Sequence, residues 1–312
     1  MLPIFYHDRY DAETVPDGHR FPMRKYRETG RRLKEIGLVT PTNPIRRPKP
    51  ADFEMIALAH DPSYVDAVFH QTVDYKTART IGFEMTAAVA MRSRLSCMGT
   101  YLAGEAALSK GIACNAAGGS HHAKYTHGAG FCVFNDVGVA IRALQKTERI
   151  RNALVIDCDV HQGDGTADIF QNDDSVFTFS LHCEDNWPVR KVASTLDIGL
   201  DQGLGDEGYL SELEAGLARV LEASSPDIVF YNAGVDPHAD DRLGKLKLSD
   251  EGIRARDRLV VSRVRERGLP LVCVMGGGYS HDVSHLARLH AFAFEEAARS
   301  LEAEADQRVS SG

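Results

Sequence analysis

The chain has little cysteine and none of it is paired in sequence: Cys97, Cys114, Cys132, Cys158, Cys183 and Cys273 are scattered, and no Cys-x-x-Cys occurs. That excludes a disulfide scaffold and a thiolate zinc cage, and it implies a reduced, cytoplasmic protein. Basic charge is also short, with 36 Lys and Arg against 44 Asp and Glu, for a net charge of −8 and a pI of about 5.9. A nucleic-acid binder that works by neutralising phosphates is therefore not expected. No apolar run is long enough to span a bilayer, and MLPIFYHDRY brings charge in too early for a signal peptide. There is no proline-rich or low-complexity linker and no internal repeat. Residues 1–312 are accordingly expected to form one domain, frayed only over the last few residues, ending Ser310-Ser311-Gly312.

What is present is 43% hydrophobic content over 312 residues, enough for a substantial core. A short strand is expected at 3–6, then a loop rich in turn formers at 11–22. A helix follows at 25–36, with Gly37 as its C-cap. IRRPKP, at 45–50, has two prolines and only three charges and is a surface connection. Asp61-Pro62 opens a further helix. The Ala-rich stretch 86–109 forms one long or two short buried helices. From there strands at 112–117, 153–156, 176–181, 228–231 and 271–275 alternate with helices at 135–145, 206–223 and 249–267. This alternation predicts right-handed crossovers and an α/β fold whose mostly parallel sheet is covered on both faces.

In such sheets ligands bind beyond the carboxyl ends of the strands, and the unusual residues of this chain stand there. ALVIDCDVHQGDG, at 153–165, runs from a buried strand into Asp157, Asp159, His161 and Asp164. In extended backbone alternate residues share a side, so Asp157, Asp159 and His161 would point together. Acids grouped in an apolar setting need a neutralising cation. Asp159, His161 and Asp236, the last oriented by Pro237 after it, make a set of one imidazole and two carboxylates suited to catalytic zinc, although iron or manganese also accept it. Adjacent His121 and His122 can be tuned to different protonation states by separate carboxylates, for which Asp157 and Asp164 remain. Tyr279, after three glycines, could donate its O–H to a developing oxyanion. Phe131, beside Gly130, would wall the histidine loop. The other histidines, among them His7, His60, His238, His281 and His285, have no comparable carboxylate context in sequence, and His182 is placed at the rim.

GGSHHAK, GAGFCVFND, DCDVHQGDGT, YNAGVDP and GGGY match in order, type and spacing, and closely resemble the signature series of the histone deacetylase family. YNAGVDPHADDRLGKLKLS and GHRFPMRKY look most like its class IV branch and bacterial relatives. The resemblance implies an arginase-like α/β fold with an eight-stranded parallel sheet, and zinc-dependent hydrolysis of an acylated lysine or a related acyl-amine. It places zinc on Asp159, His161 and Asp236. It makes His122 the general base and later acid, His121 its electrostatic partner and Tyr279 the carbonyl-polarising donor, with Asp157 behind His121 and Asp164 behind His122. Gly130 and Phe131 would line the acyl channel, with Leu243 at its rim and Trp187 a candidate second aromatic. Structural potassium is implied at Asp157, Asp159, His161, Ser180 and Leu181, and a second potassium near Phe170, Asp173 and Val176. Where many relatives have Gly-Phe-Pro-Trp, this chain has Gly82-Phe83-Glu84-Met85, a departure near the pocket mouth.

Three other readings compete. A two-manganese ureohydrolase on the same fold needs more carboxylates than Asn232 and Val235 leave beside Asp236. A non-catalytic acyl-lysine binder would have no use for the complete set of reacting groups. An acetylpolyamine deacetylase is expected to carry rim acids. Leu243 argues against it, and Glu184, Asp240 and Asp241 argue for it. Neither a nucleic acid nor a membrane is expected as a partner, and the sequence sets no oligomeric state.

Overall fold

A computed structural model describes residues 1–310, with side chains through 306; the frayed end expected at 310–312 centres on residues outside that range. Seven strands are present among the described residues: β1 (Ile4–Phe5), β2 (Ile112–Asn115), β3 (Ala153–Asp157), β4 (Val176–Cys183), β5 (Leu196–Leu200), β6 (Ile228–Asn232) and β7 (Leu271–Val274). They form one sheet in the order β1-β2-β7-β6-β3-β4-β5, and every pairing is parallel. The expected α/β architecture is present, with seven strands where the resemblance implied eight.

Period-two alternation divides the central strand between two cores. Leu154 and Ile156 enter one hydrophobic cluster with Val229, Tyr231, Leu271 and Cys273, while Ala153 and Val155 enter the other with Phe230 and Val272. The helices are α1 (Lys25–Glu35), α2 (Phe53–Ile56), α3 (Pro62–Phe69), α4 (Tyr75–Ile81), α5 (Ala87–Lys110), α6 (Asp136–Lys146), α7 (Asp164–Phe170), α8 (Asp206–Ala223), α9 (Asp250–Glu266) and α10 (Val283–Ser310). Residues of α5 and α6 cover one face, and residues of α1, α8, α9 and α10 the other. The Ala-rich stretch is one helix, α5, begun by the Thr86 hydroxyl accepting the Val89 N–H. Asp61 caps α3 ahead of Pro62, and Asn135 and Ser249 cap α6 and α9. Not anticipated are β5, an edge strand with Asp197 and Gly199 exposed, and the short helices α2, α4 and α7, together with α10. No helix among the described residues is long and apolar enough to cross a membrane.

The topology positions the site. From β3 the chain moves outward through β4 to β5, then returns to the opposite side of β3 for β6 and β7. The winding therefore reverses between β3 and β6, whose last residues, Asp157 and Asn232, are register partners. At such a switch point adjacent loops splay apart beyond the carboxyl ends and open a crevice.

Candidate active site

β3 ends at Asp157, and Asp159 and His161 lie in the loop beyond it, so strand alternation does not aim the three together as expected. Asp157 turns instead toward β2 and β6. Its Oδ2 is 2.7 Å from His121 Nδ1, and its Oδ1 accepts the Asn232 amide at 2.9 Å and the Asp159 N–H at 3.1 Å. Asp159 and His161 meet Asp236, from the loop after β6, with one ligand atom of each lying within 4.8 Å of the others and all three residues buried. His161 Nδ1 is 3.0 Å from Asp159 Oδ1 and 3.1 Å from Asp236 Oδ2. The remaining carboxylate oxygens accept the N–H groups of Gly277, at 2.7 Å, and Val160, at 2.8 Å. Gly277 has no room for a side chain, because a Cβ there would stand 2.2 Å from Asp236 Oδ2 and 2.6 Å from Asp159 Oδ2.

This cluster is short of positive charge. Burial, and then the Asp159 charge, push Asp236 up to about 7. Burial opposes a charged His161, but its bonds to Asp159 and Asp236 outweigh that and hold it at about 10. A divalent cation answers both demands at once, since it would neutralise the two carboxylates and take the place of the imidazole proton. The donor set and the space left by Gly277 fit zinc, and iron(II) by the same chemistry.

The histidine pair stands on the loop after β2. Asp136, in the first turn of α6, holds that loop by accepting the N–H groups of Gly119, at 3.3 Å, and Ser120, at 2.8 Å, along with the Thr100 hydroxyl. The imidazoles of His121 and His122 are 4.0 Å apart between centroids. His122 Nδ1 is 2.7 Å from Asp164 Oδ1, whose other oxygen faces the Lys124 ammonium at 3.1 Å. Their settings pull the two rings apart in basicity. Burial opposes charge on His121, but Asp157 and Asp159 hold it up at about 9. Burial and the neighbouring His121 charge press His122 down to about 4, against Asp164. At neutral pH these settings favour a charged His121 beside a neutral His122.

Both sets open into a cavity of about 690 Å³ lined by His122, Gly130, Phe131, His161, Trp187, Leu243 and Tyr279, among others. Phe131 is a non-glycine residue at a φ of 66°, pinned by its N–H to the Ile81 carbonyl at 2.6 Å and packed against Phe21 and Phe83. Gly82, at the departure from the usual motif, lies under the Phe131 ring, which a Cβ there would meet at 2.9 Å. Opposite, Trp187 stands edge-on to His122 at 4.5 Å. A Cβ on Gly130 would stand 2.6 Å from His122 and 2.8 Å from Trp187, so only glycine fits where those two rings converge on the cavity wall.

Tyr279 is held by Asp241, which the sequence reading placed at the rim, and by Arg242 and Lys25, which it did not single out. Its N–H goes to Asp241 Oδ2 at 2.7 Å, and its carbonyl accepts from Arg242 Nε. Lys25, fully buried, donates to the carbonyls of Gly276, at 2.9 Å, and Gly278, at 3.4 Å, beneath the Tyr279 ring. Burial lowers this lysine to about 8, partly offset by Asp236 and Asp159. A lysine at the start of an amphipathic helix ordinarily faces solvent, and no signal in sequence marks this one.

Other expectations are corrected. His182 is not at the rim: it is buried in β4 with Nδ1 3.0 Å from the Ser180 hydroxyl. Asp241 is no rim acid, being spent on the N–H groups of Leu243, Gly244 and Tyr279. His238 and His285 do have a carboxylate, since the Nε2 of each lies about 3 Å from Asp250 Oδ1. That cluster is not arranged for a cation, because His238 Nδ1 accepts the Asp240 N–H, which places the ring proton on Nε2, and Arg288 already pairs with Asp250.

Comparison with known proteins gives the following. A model of the histone deacetylase domain matches residues 19–294. The chain is 44% identical over 289 residues to an uncharacterised protein of Picosynechococcus sp., covering 93% of this chain and 96% of that one. It is 34% identical over 184 residues to histone deacetylase 2 of Arabidopsis thaliana, covering 58% of this chain and 48% of that one. The chain thus aligns with about half the length of that plant relative. Among solved structures, an HDAC homologue crystallised in complex with SAHA superposes with a TM-score of 0.79 at 25% identity, over 97% of this chain and 88% of the other.

Proposed function

The chain belongs to the histone deacetylase family, and from that premise we propose that it is a zinc-dependent deacylase, one catalytic domain that hydrolyses the amide of an acylated lysine or related acyl-amine. A single observation carries the reading: a buried Asp159-His161-Asp236 set and a pair of adjacent histidines, each bonded to its own carboxylate, open into the same aromatic-walled cavity.

In this reading the alkyl stem of the substrate lies between Phe131 and Trp187, with Gly130 leaving room and Leu243 bordering the mouth. Asp159, His161 and Asp236 would hold the zinc ion, which supplies Lewis-acid polarisation of the carbonyl and of water. His122, a free base, takes a proton from the attacking water and later delivers it to the nitrogen as the C–N bond breaks, so the products are a carboxylate and an amine. His121, kept charged by Asp157, offsets negative charge that develops beside it. Tyr279 donates its O–H to the carbonyl oxygen as that oxygen gains charge. A structural potassium ion at Asp157, Asp159, His161, Ser180 and Leu181 belongs to the same reading, supported by Ser180 lying level with Asp157 in the sheet.

The test combines metal analysis with turnover. Zinc-loaded protein is expected to hold one equivalent at this site and to release acetate from an uncharged acetyl-lysine reporter. Full zinc occupancy without turnover of any acyl-amine would sink the proposal. Two manganese equivalents with urea release from a guanidino substrate would replace it by the ureohydrolase reading.

A further inference from the structure

The cavity reaches the surface through a ring of charge that contrasts with the rest of the molecule. Its exposed lining includes three cations, Arg20 from the 18–22 loop, Arg79 from α4 and Lys245 from the loop after Asp236, against one carboxylate, Asp185. Among the described residues none of the three cations is paired with an acid. Lys245 gives its ammonium to the Asp185 backbone carbonyl at 2.7 Å, Arg79 lies 5.7 Å from the Tyr75 ring, and no ion pair involves Arg20. The other acids nearby lie outside the lining: exposed Glu184 faces Lys191 and His182, Asp240 does not reach the cavity, and Asp241 is spent on the N–H groups of Leu243, Gly244 and Tyr279. A chain of net charge −8 thus surrounds the opening with positive charge in excess.

Unpaired cations around a narrow opening focus the local field and raise the local concentration of negatively charged ligands while repelling cations. Resting on the deacylase reading, we propose that the substrate is an acyl-lysine in an acidic stretch of polypeptide, with Asp or Glu side chains on either side of the acylated residue meeting Arg20, Arg79 and Lys245. Acylated polyamines, cationic along the chain that would lie in the opening, are selected against by the same ring. The apolar depth of the pocket accepts the acyl-lysine stem, and the opening chooses which lysines reach it.

The experiment compares kcat and KM of the zinc-loaded enzyme on three acetyl-lysine peptides of equal length, flanked by Glu, by Gln or by Arg, and on acetylspermidine. Measurements are made at about 0.02 M and about 0.5 M salt, where screening differs severalfold. The Glu-flanked peptide is expected to exceed the Arg-flanked one by about tenfold in kcat/KM at low salt, mainly through KM, with the preference collapsing at high salt. In the Arg20→Glu, Arg79→Glu double variant the order of Glu- and Arg-flanked peptides should invert, and the ratio is read within one protein so that any general loss of activity cancels. A ratio near one, a preference for the Arg-flanked peptide or acetylspermidine, or a ratio unmoved by the double variant would overturn the proposal. The set of substrates separates the two readings: turnover of the Gln-flanked peptide without charge preference removes only this inference, whereas failure of every acyl-amine tested on zinc-loaded protein removes the deacylase reading beneath it.

Discussion

Tyr279 keeps its proton, because burial, and after it the charges of Asp159 and Asp236, push its phenol well above the ordinary value. A phenol so held is a donor at any working pH. Tyr279→Phe is therefore expected to lower kcat by about 100- to 1000-fold with little change in KM. Zinc content, measured by elemental analysis, should not change, and a phenylalanine variant as fast as wild type would remove Tyr279 from the chemistry. In the proposed reaction His122, its ring held by Asp164, carries the proton, and His122→Ala should cost about 100- to 10,000-fold in kcat with the metal again retained. At this scale much was legible. Two adjacent histidines, an Asp-x-Asp-x-His run and a glycine-tyrosine turn announce their chemistry by residue type alone. Lys25 does not, since its place under the Tyr279 ring depends on Phe21, Tyr26 and the carbonyls of a loop some 250 positions away in the chain.

Elements hold these groups through loops rather than through strand register. The segment after β6 carries Asp236 and then turns back to grip Tyr279 with Asp241 and Arg242, so one loop would serve both the proposed metal set and the proposed oxyanion donor. Asp241→Ala strips three N–H groups of their acceptor and is expected to destabilise the fold by about 3 kcal/mol while lowering kcat. Urea unfolding and steady-state kinetics on the same variant check both effects. A second element-scale device is His60, just before α3. One ring nitrogen donates to the Lys124 carbonyl at 2.9 Å, and the other accepts the N–H of Asn135, the cap of α6. Burial lowers His60 to about 4, so the unfolded chain, near the ordinary 6.5, binds the proton more tightly than the native state. Stability is then complete above about pH 6.5 and falls as the pH drops toward 4, by about 3 kcal/mol in all. In a His60→Gln variant, unfolding free energies measured across that window should lose this component of the slope. An equal slope in variant and wild type would dismiss His60 as its source.

For the whole molecule, the sheet order brings four distant loops to one end, after β2, β3, β6 and β7. A cation shared by Asp159, His161 and Asp236 would tie the third and sixth strands across the switch point, and only the folded chain offers that grip. Zinc at about a thousand times its dissociation constant should add about 4 kcal/mol, or about 6 °C in melting temperature for a chain of this size. Chelation should remove that increment and zinc should restore it. In Asp236→Asn the melting temperature should no longer respond to zinc, and an undiminished response there would place the metal elsewhere.

Fold class, strand-end placement of the reactive residues and the identity of the donor types were all determined by the chain itself, because hydrophobic periodicity and side-chain chemistry are local properties. Tertiary structure decided what local patterns do not carry. It drew Asp157 away from Asp159 and His161, buried His182, committed Asp241 to backbone amides and paired Arg142 with Asp173. It also gathered Arg20, Arg79 and Lys245 around one opening. Each of these outcomes depends on which loops meet in space, and packing between distant segments sets that, with no trace in the neighbours of any single residue.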